Sequence, residues 1–95
     1  MRLEWSPEAL RDIERLYRFL SSKNPRAADR AVVTIRASLG LLLDFPEAGR
    51  MATDLAIDHR ELLVPFSDGG CVVAYTIRDD VIEIIDIRHQ RETGS

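Results

Sequence analysis

Arg60, His89 and Arg91 are the side chains whose chemistry could be turned on another molecule. An arginine presents a fixed fork of donors to a phosphate or carboxylate. A histidine can carry a proton near neutral pH. Shared acid–base work would need these groups within hydrogen-bond reach of one reacting atom. If the carboxyl-terminal strands form a regular meander, Arg60 lies level with Tyr75 and Glu83, and His89 lies six residues further along. At about 3.3 Å per residue that is roughly 20 Å, too far for shared chemistry. The three are therefore expected to act separately. Arg60 either contacts a target or pairs across strands with Glu83. His89 makes a polar contact at the sheet edge, at a partner interface. Arg91 beside it binds a target. Tyr75 is expected as a packed tyrosine with a satisfied hydroxyl, and Trp5 and Phe66 as core or sheet-edge residues. No catalytic residue is assigned.

Other reactive types are sparse. Cys71 stands alone at the head of an apolar run and reads as a small buried hydrophobe. With His59 and His89 it makes no metal-ligand spacing, so neither a metal nor a cofactor is expected. The 95 residues carry a net charge of −3 that hides an asymmetry. Residues 1–36 hold eight basic side chains against five acids, and residues 37–95 hold five against eleven. A phosphate-binding face concentrates positive charge, which the second segment cannot offer broadly. Direct, specific nucleic-acid binding is not expected. No apolar stretch approaches the roughly 20 residues of a membrane span, and the start lacks the apolar core of a secretory signal. The expected place is the cytoplasm.

The positioning elements can be read from periodicity and punctuation. Arg2 to Trp5 alternates as a first strand. Ser6-Pro7-Glu8 is a helix start with a hydroxyl cap, a proline and an acid, and Leu10, Ile13, Leu16 and Leu20 carry that helix to Ser21. Asn24-Pro25 repeats the signal for a second helix with Ala28, Ala31, Ile35, Leu39 and Leu42 on one face, ending near Leu43. A loop follows from Phe45 to about Ile57. His59–Val64, Cys71–Ile77 and Val81–Arg88 then read as three strands joined by short turns. In the last, Ile82 and Ile84 point one way, Ile85 and Ile87 the other. The expected fold is α+β: an N-terminal strand, an antiparallel two-helix hairpin and a three-stranded antiparallel meander. One domain covers residues 1–92, with 93–95 a polar tail.

Five motifs now stand in order: Leu3-Glu4-Trp5-Ser6-Pro7-Glu8-Ala9, Phe45-Pro46-Glu47-Ala48-Gly49-Arg50, His59-Arg60-Glu61-Leu62, Val73-Ala74-Tyr75 and Ile85-Asp86-Ile87-Arg88-His89-Gln90-Arg91. Together they resemble the RelE/ParE toxins of type II toxin–antitoxin systems across nearly the whole chain. The resemblance implies a cognate, ParD-like antitoxin. It also implies one of two targets: DNA gyrase for ParE-like members, or ribosome-bound message, cut by RelE-like members. The RelE-like nucleases place cations in the loop before the second strand, at the third residue before the tyrosine of the third strand, and at the carboxyl-terminal end. Here the first loop, Met51 to Asp58, has no Lys or Arg and carries Asp54 and Asp58, Val72 fills the next place, and no tyrosine follows His89. The ParE-like branch is expected, with ribosome-dependent ribonuclease, or a degenerate toxin that only binds its antitoxin, as alternatives.

Apolar residues beyond the needs of one core mark an expected antitoxin surface across the hairpin and sheet edge: Phe19, Leu41, Leu43 and Ile82. Helix one also shows a basic stripe, Arg11, Arg15 and Arg18, interleaved with Glu8 and Asp12. It is either a solvated face or a surface for an acidic partner.

Overall fold

Ser6 starts the first helix as its position demands. Its Oγ accepts from the Ala9 amide at 3.0 Å, Pro7 occupies the first turn, and α1 runs Pro7–Ser21. Asn24 does the same for α2, Pro25–Leu41, accepting from the Arg26 and Ala27 amides. Caps of this kind contribute about 1 kcal/mol each. The buried face of α2 is Ala27, Ala28, Ala31, Ile35 and Leu39, and its small residues let the two helices approach. Tyr17 Oη donates to Asp29 Oδ1 at 2.9 Å across the hairpin. The structure, a computed structural model, describes residues 1–52, 58–66 and 69–90. Arg91 and Asp54 lie outside the described residues.

The helices cover one face of a five-stranded sheet made of β1 (Arg2–Trp5), β2 (Arg50–Ala52), β3 (His59–Val64), β4 (Cys71–Arg78) and β5 (Val81–His89), in the order β1-β5-β4-β3-β2. The α+β fold, hairpin and meander are as predicted. Two features are additional. Arg50–Ala52, expected within a loop, pairs antiparallel with β3. β1 pairs parallel with β5, from Arg2↔Val81 to Trp5↔Ile84, which makes β5 an interior strand over that span. Ile82 is consequently 0% exposed and belongs to the core, not to a partner surface.

Two further expectations, the facing of the last strand and the level of Arg60 with Glu83, are corrected by a β-bulge and by the β4–β5 turn respectively. Ala74 pairs with Asp86, but Tyr75 pairs with Ile84, so Ile85 is an extra residue. An extra residue reverses the alternation beyond it. Ile87 and His89 thus fall in the buried row with Ile82 and Ile84, and Ile87 does not point away from it. The predicted level of Arg60 with Glu83 fails because the β4–β5 turn has only two residues, Asp79 and Asp80, and pairs Arg78 with Val81, one place off a three-residue turn. Arg60 pairs with Tyr75, Glu83 pairs with Thr76, and β4 separates the two charges. The Glu83 carboxylate instead meets Arg78 at 3.3 Å.

Beyond Ile84 the edge of β5 meets α1 instead of a strand. Ser6 N–H donates to Ile84 O at 3.0 Å and Ser6 Oγ to Ile85 O at 2.7 Å. Ile87 N–H donates to Asp12 Oδ2 at 3.0 Å. Asp12 is only 4% exposed, so it belongs to the interior and not to a solvated basic stripe. An unpaired buried amide would cost about 1–3 kcal/mol, and the Asp12 carboxylate removes that cost.

Candidate functional site

The segment between α2 and β2 is tied to the sheet by Tyr75 and Arg60. Tyr75 is fully buried. Its hydroxyl accepts from Gly49 N–H at 2.9 Å and donates to Pro46 O at 2.8 Å, so the predicted satisfied hydroxyl is present. Burial pushes its pKa up, partly offset by the Gly49 hydrogen bond. Arg60 Nη1 donates to Gly49 O at 2.7 Å and Glu47 O at 3.3 Å. Gly49 fits because it lacks a side chain: an added Cβ would stand 2.7 Å from Tyr75 Oη and 2.9 Å from Glu61 O. The Phe45–Arg50 motif is thus a strap, and Tyr75 and Arg60 are its two anchors.

The face turned away from the helices carries a charged cluster. Arg50, Glu61, Ala74 and Asp86 stand in one row across four strands. They alternate with Val73 and Tyr75 of the core and so occupy the opposite face. Glu61 is buried and accepts from Arg50 Nη2 at 3.2 Å and from Arg88 Nη2 at 3.0 Å. His59 Nε2 lies 3.6 Å from its Oε2. Burial pushes the Asp86 carboxyl up, while the neighbouring Arg88 pulls it down. Sequence reasoning missed Glu61 and Asp12. The placement of Asp12 was visible: it is three residues after Ala9 and four before Leu16, on the apolar stripe.

His89 was expected at an exposed edge. It is 1% exposed, with Phe66 stacked on it at a centroid distance of 5.9 Å and Phe19 tilted against it at 5.3 Å. The bulge turns it to the helix side, so it braces the interior and cannot itself reach a target. Phe19 is half-buried in the same box, with Lys23 Nζ 4.7 Å above its ring. Leu41 and Leu43 are exposed, as expected, and Phe45 joins them. Arg60 and His89 serve different parts of the structure. Cys71 is buried, and desolvation pushes its thiol up to about 12, which makes it unreactive at neutral pH. Among the described residues no group of three or more His, Cys, Asp or Glu could hold a metal ion, and no helix is long and apolar enough to cross a membrane.

A groove of about 470 Å³ opens between β1 and the helical hairpin. Leu3, Trp5, Ile13, Val32 and Leu39 line it, and Arg18 and Arg36 are on its rim.

Comparison with known proteins gives this architecture a family. Residues 3–94 match the profile of the ParE toxin of the type II toxin–antitoxin system parDE. The chain is 36% identical over 90 residues to Toxin RelE3 of Caulobacter vibrioides, covering 95% of each chain. It is 31% identical over 87 residues to Toxin RelE2 of the same organism, covering 90% of each. Among solved structures, a chain of the chromosomal ParDE system from P. aeruginosa superimposes with a TM-score of 0.71 at 21% identity, over 94% of this chain and 95% of that one. The five ordered motifs, the strap they build and the match over nearly the full length agree: the chain belongs to the ParE toxin family of type II toxin–antitoxin systems.

Proposed function

We propose that this protein is a ParE-like toxin that acts in the cytoplasm by binding DNA gyrase, and that a ParD-like antitoxin neutralises it. The observation that carries the reading is the commitment of its sheet cations. Arg50 and Arg88 both end on Glu61, and Arg60 ends on the carbonyls of Glu47 and Gly49. RNA cleavage needs cations at the phosphorane, and losing one such stabiliser commonly costs a hundred- to a thousandfold in rate. A toxin that binds protein needs a shaped surface with a few anchors. Arg91 is the proposed direct contact. Arg60 acts by holding the strap, and His89 by bracing the end of β5. Purified toxin is expected to inhibit gyrase supercoiling, and Arg91→Ala to weaken inhibition about tenfold, or about 1.4 kcal/mol. Cleavage of message in the ribosomal A site, with gyrase unaffected at saturating toxin, would overturn this reading in favour of the ribonuclease.

For the antitoxin, the apolar groove and the exposed Leu41 and Leu43 support docking of an amphipathic segment on the hairpin. Phe19 packs on His89 and does not line that groove. Leu41→Asp with Leu43→Asp tests it without opening the core. Antitoxin affinity within about tenfold of the parent would remove these leucines from the interface.

A further inference from the structure

The arginines of α1 are neutralised within their own helix: Arg11 on Glu8, Arg15 on Asp12, Arg18 on Glu14. α2 differs. Arg26, Arg30 and, just beyond its end, Asp44 make no ion pair with a described residue. The helix has no acid in its first turn and no base in its last, so neither end of its dipole is compensated. At 3.6 residues per turn, Arg26, Arg30, Val33, Ala37 and Gly40 follow one ridge, the tight turn Leu42–Asp44 carries Asp44 on beyond its end, and all six are exposed. Val33 is 67% exposed in the middle of it. An added Cβ at Gly40 would meet nothing within 4 Å, so this glycine, unfavourable in a helix interior, serves no packing inside the chain.

We propose that this ridge pairs with the same ridge of a second copy of the chain, antiparallel about a two-fold axis at the level of Ile35. The ridge is self-complementary about that level. Arg26 meets Asp44 of the partner subunit, Val33 meets Ala37 of the partner subunit, and Arg30 crosses the space left open at Gly40 of the partner subunit. Each charge lies nine residues from the axis, Arg26 about 13 Å along the helix and Asp44 about 15 Å away through the turn that follows it, so both ion pairs form at once. The antiparallel arrangement also sets each dipole end against the opposite end of its neighbour. Such an isologous contact closes on itself as a dimer. A ridge about 27 Å long, at an interaxial distance of about 8–10 Å, buries less than the roughly 1,200 Å² of standard complexes. The dimer is therefore weak, with a dissociation constant of about 10–100 μM. The groove takes Val32, Arg36 and Leu39 from a neighbouring face of α2 and stays open; only Leu41 and Leu43, beside Gly40 and Asp44, border the proposed antitoxin surface.

Sedimentation of the full chain from about 1 to about 500 μM tests the pairing. A reversible monomer–dimer equilibrium is expected. Arg26→Asp and Asp44→Arg should each weaken it about tenfold, and the double reversal should return it to within about threefold of the parent. Val33→Asp should abolish it. Both charges are exposed, and circular dichroism confirms that each variant is folded. A strict monomer over this range overturns the proposal, as does a double reversal no tighter than the single ones. An effect of Arg26→Asp confined to binding of antitoxin or DNA does so too.

Discussion

Removing one oxygen, in Tyr75→Phe, separates a structural tyrosine from a chemical one. The ring stays in the core and no cavity forms, so the change reports the hydroxyl alone. That hydroxyl joins two groups of the strap, Gly49 N–H and Pro46 O. The Gly49 amide is buried, and left without an acceptor it costs about 1–3 kcal/mol. The Pro46 carbonyl is only part-buried and has a second lone pair, so its loss is about 0.5–1 kcal/mol. Not having to desolvate a hydroxyl returns roughly 1 kcal/mol. The net expectation is a destabilisation of about 0.5–3 kcal/mol, which against a total of about 5–15 kcal/mol leaves the protein folded. Urea unfolding should show a lower midpoint with an unchanged slope. The proposed gyrase inhibition, measured with the folded variant well below its melting temperature, should match the parent. A loss below about 0.5 kcal/mol would refute the strap's dependence on this bond. A fully folded variant without activity would refute the structural role.

Other changes test the remaining devices. Gly49→Ala forces a methyl against Tyr75 Oη and Glu61 O and should cost about 1–3 kcal/mol in denaturant unfolding. Asp12→Ala leaves Ile87 N–H buried without its acceptor and should cost about 2–3 kcal/mol, lowering the melting temperature by roughly 8–24 °C in calorimetry. His89→Ala removes the ring between Phe19 and Phe66 and should cost about 2–4 kcal/mol while leaving the proposed gyrase inhibition by the folded fraction unchanged. Asp86→Asn tests the raised Asp86 pKa: an acid that holds its proton more tightly when folded opposes folding once ionised. The parent's handicap is therefore absent below the unfolded value of about 3.9 and develops as pH rises through the folded one. The variant should be more stable than the parent at pH 7 and equal to it near pH 3, as read by thermal melts at each pH.

What neighbours along the chain decide was legible before any folding. Ser6-Pro7 and Asn24-Pro25 cap helices with their own side chains, and the apolar spacings of α1, α2 and three strands state their periods without reference to the rest of the molecule. The ordered motifs carried the family for the same reason. Tertiary structure decided what depends on pairing between distant segments. Nothing in Arg50–Ala52 marks a strand until β3 lies beside it, because three residues carry no measurable period. Nothing in Arg2–Trp5 says that its partner is β5, or that the pairing is parallel. The single extra residue at Ile85 could not be seen locally, yet it turned His89 inward between Phe19 and Phe66, while the two-residue turn at Asp79-Asp80 set Glu83 off the level of Arg60. Side-chain direction in a strand has a period of two, so one inserted residue reverses every assignment beyond it. A buried carboxylate such as Asp12 or Glu61 becomes legible only when the donor it must satisfy, on another element, has been placed.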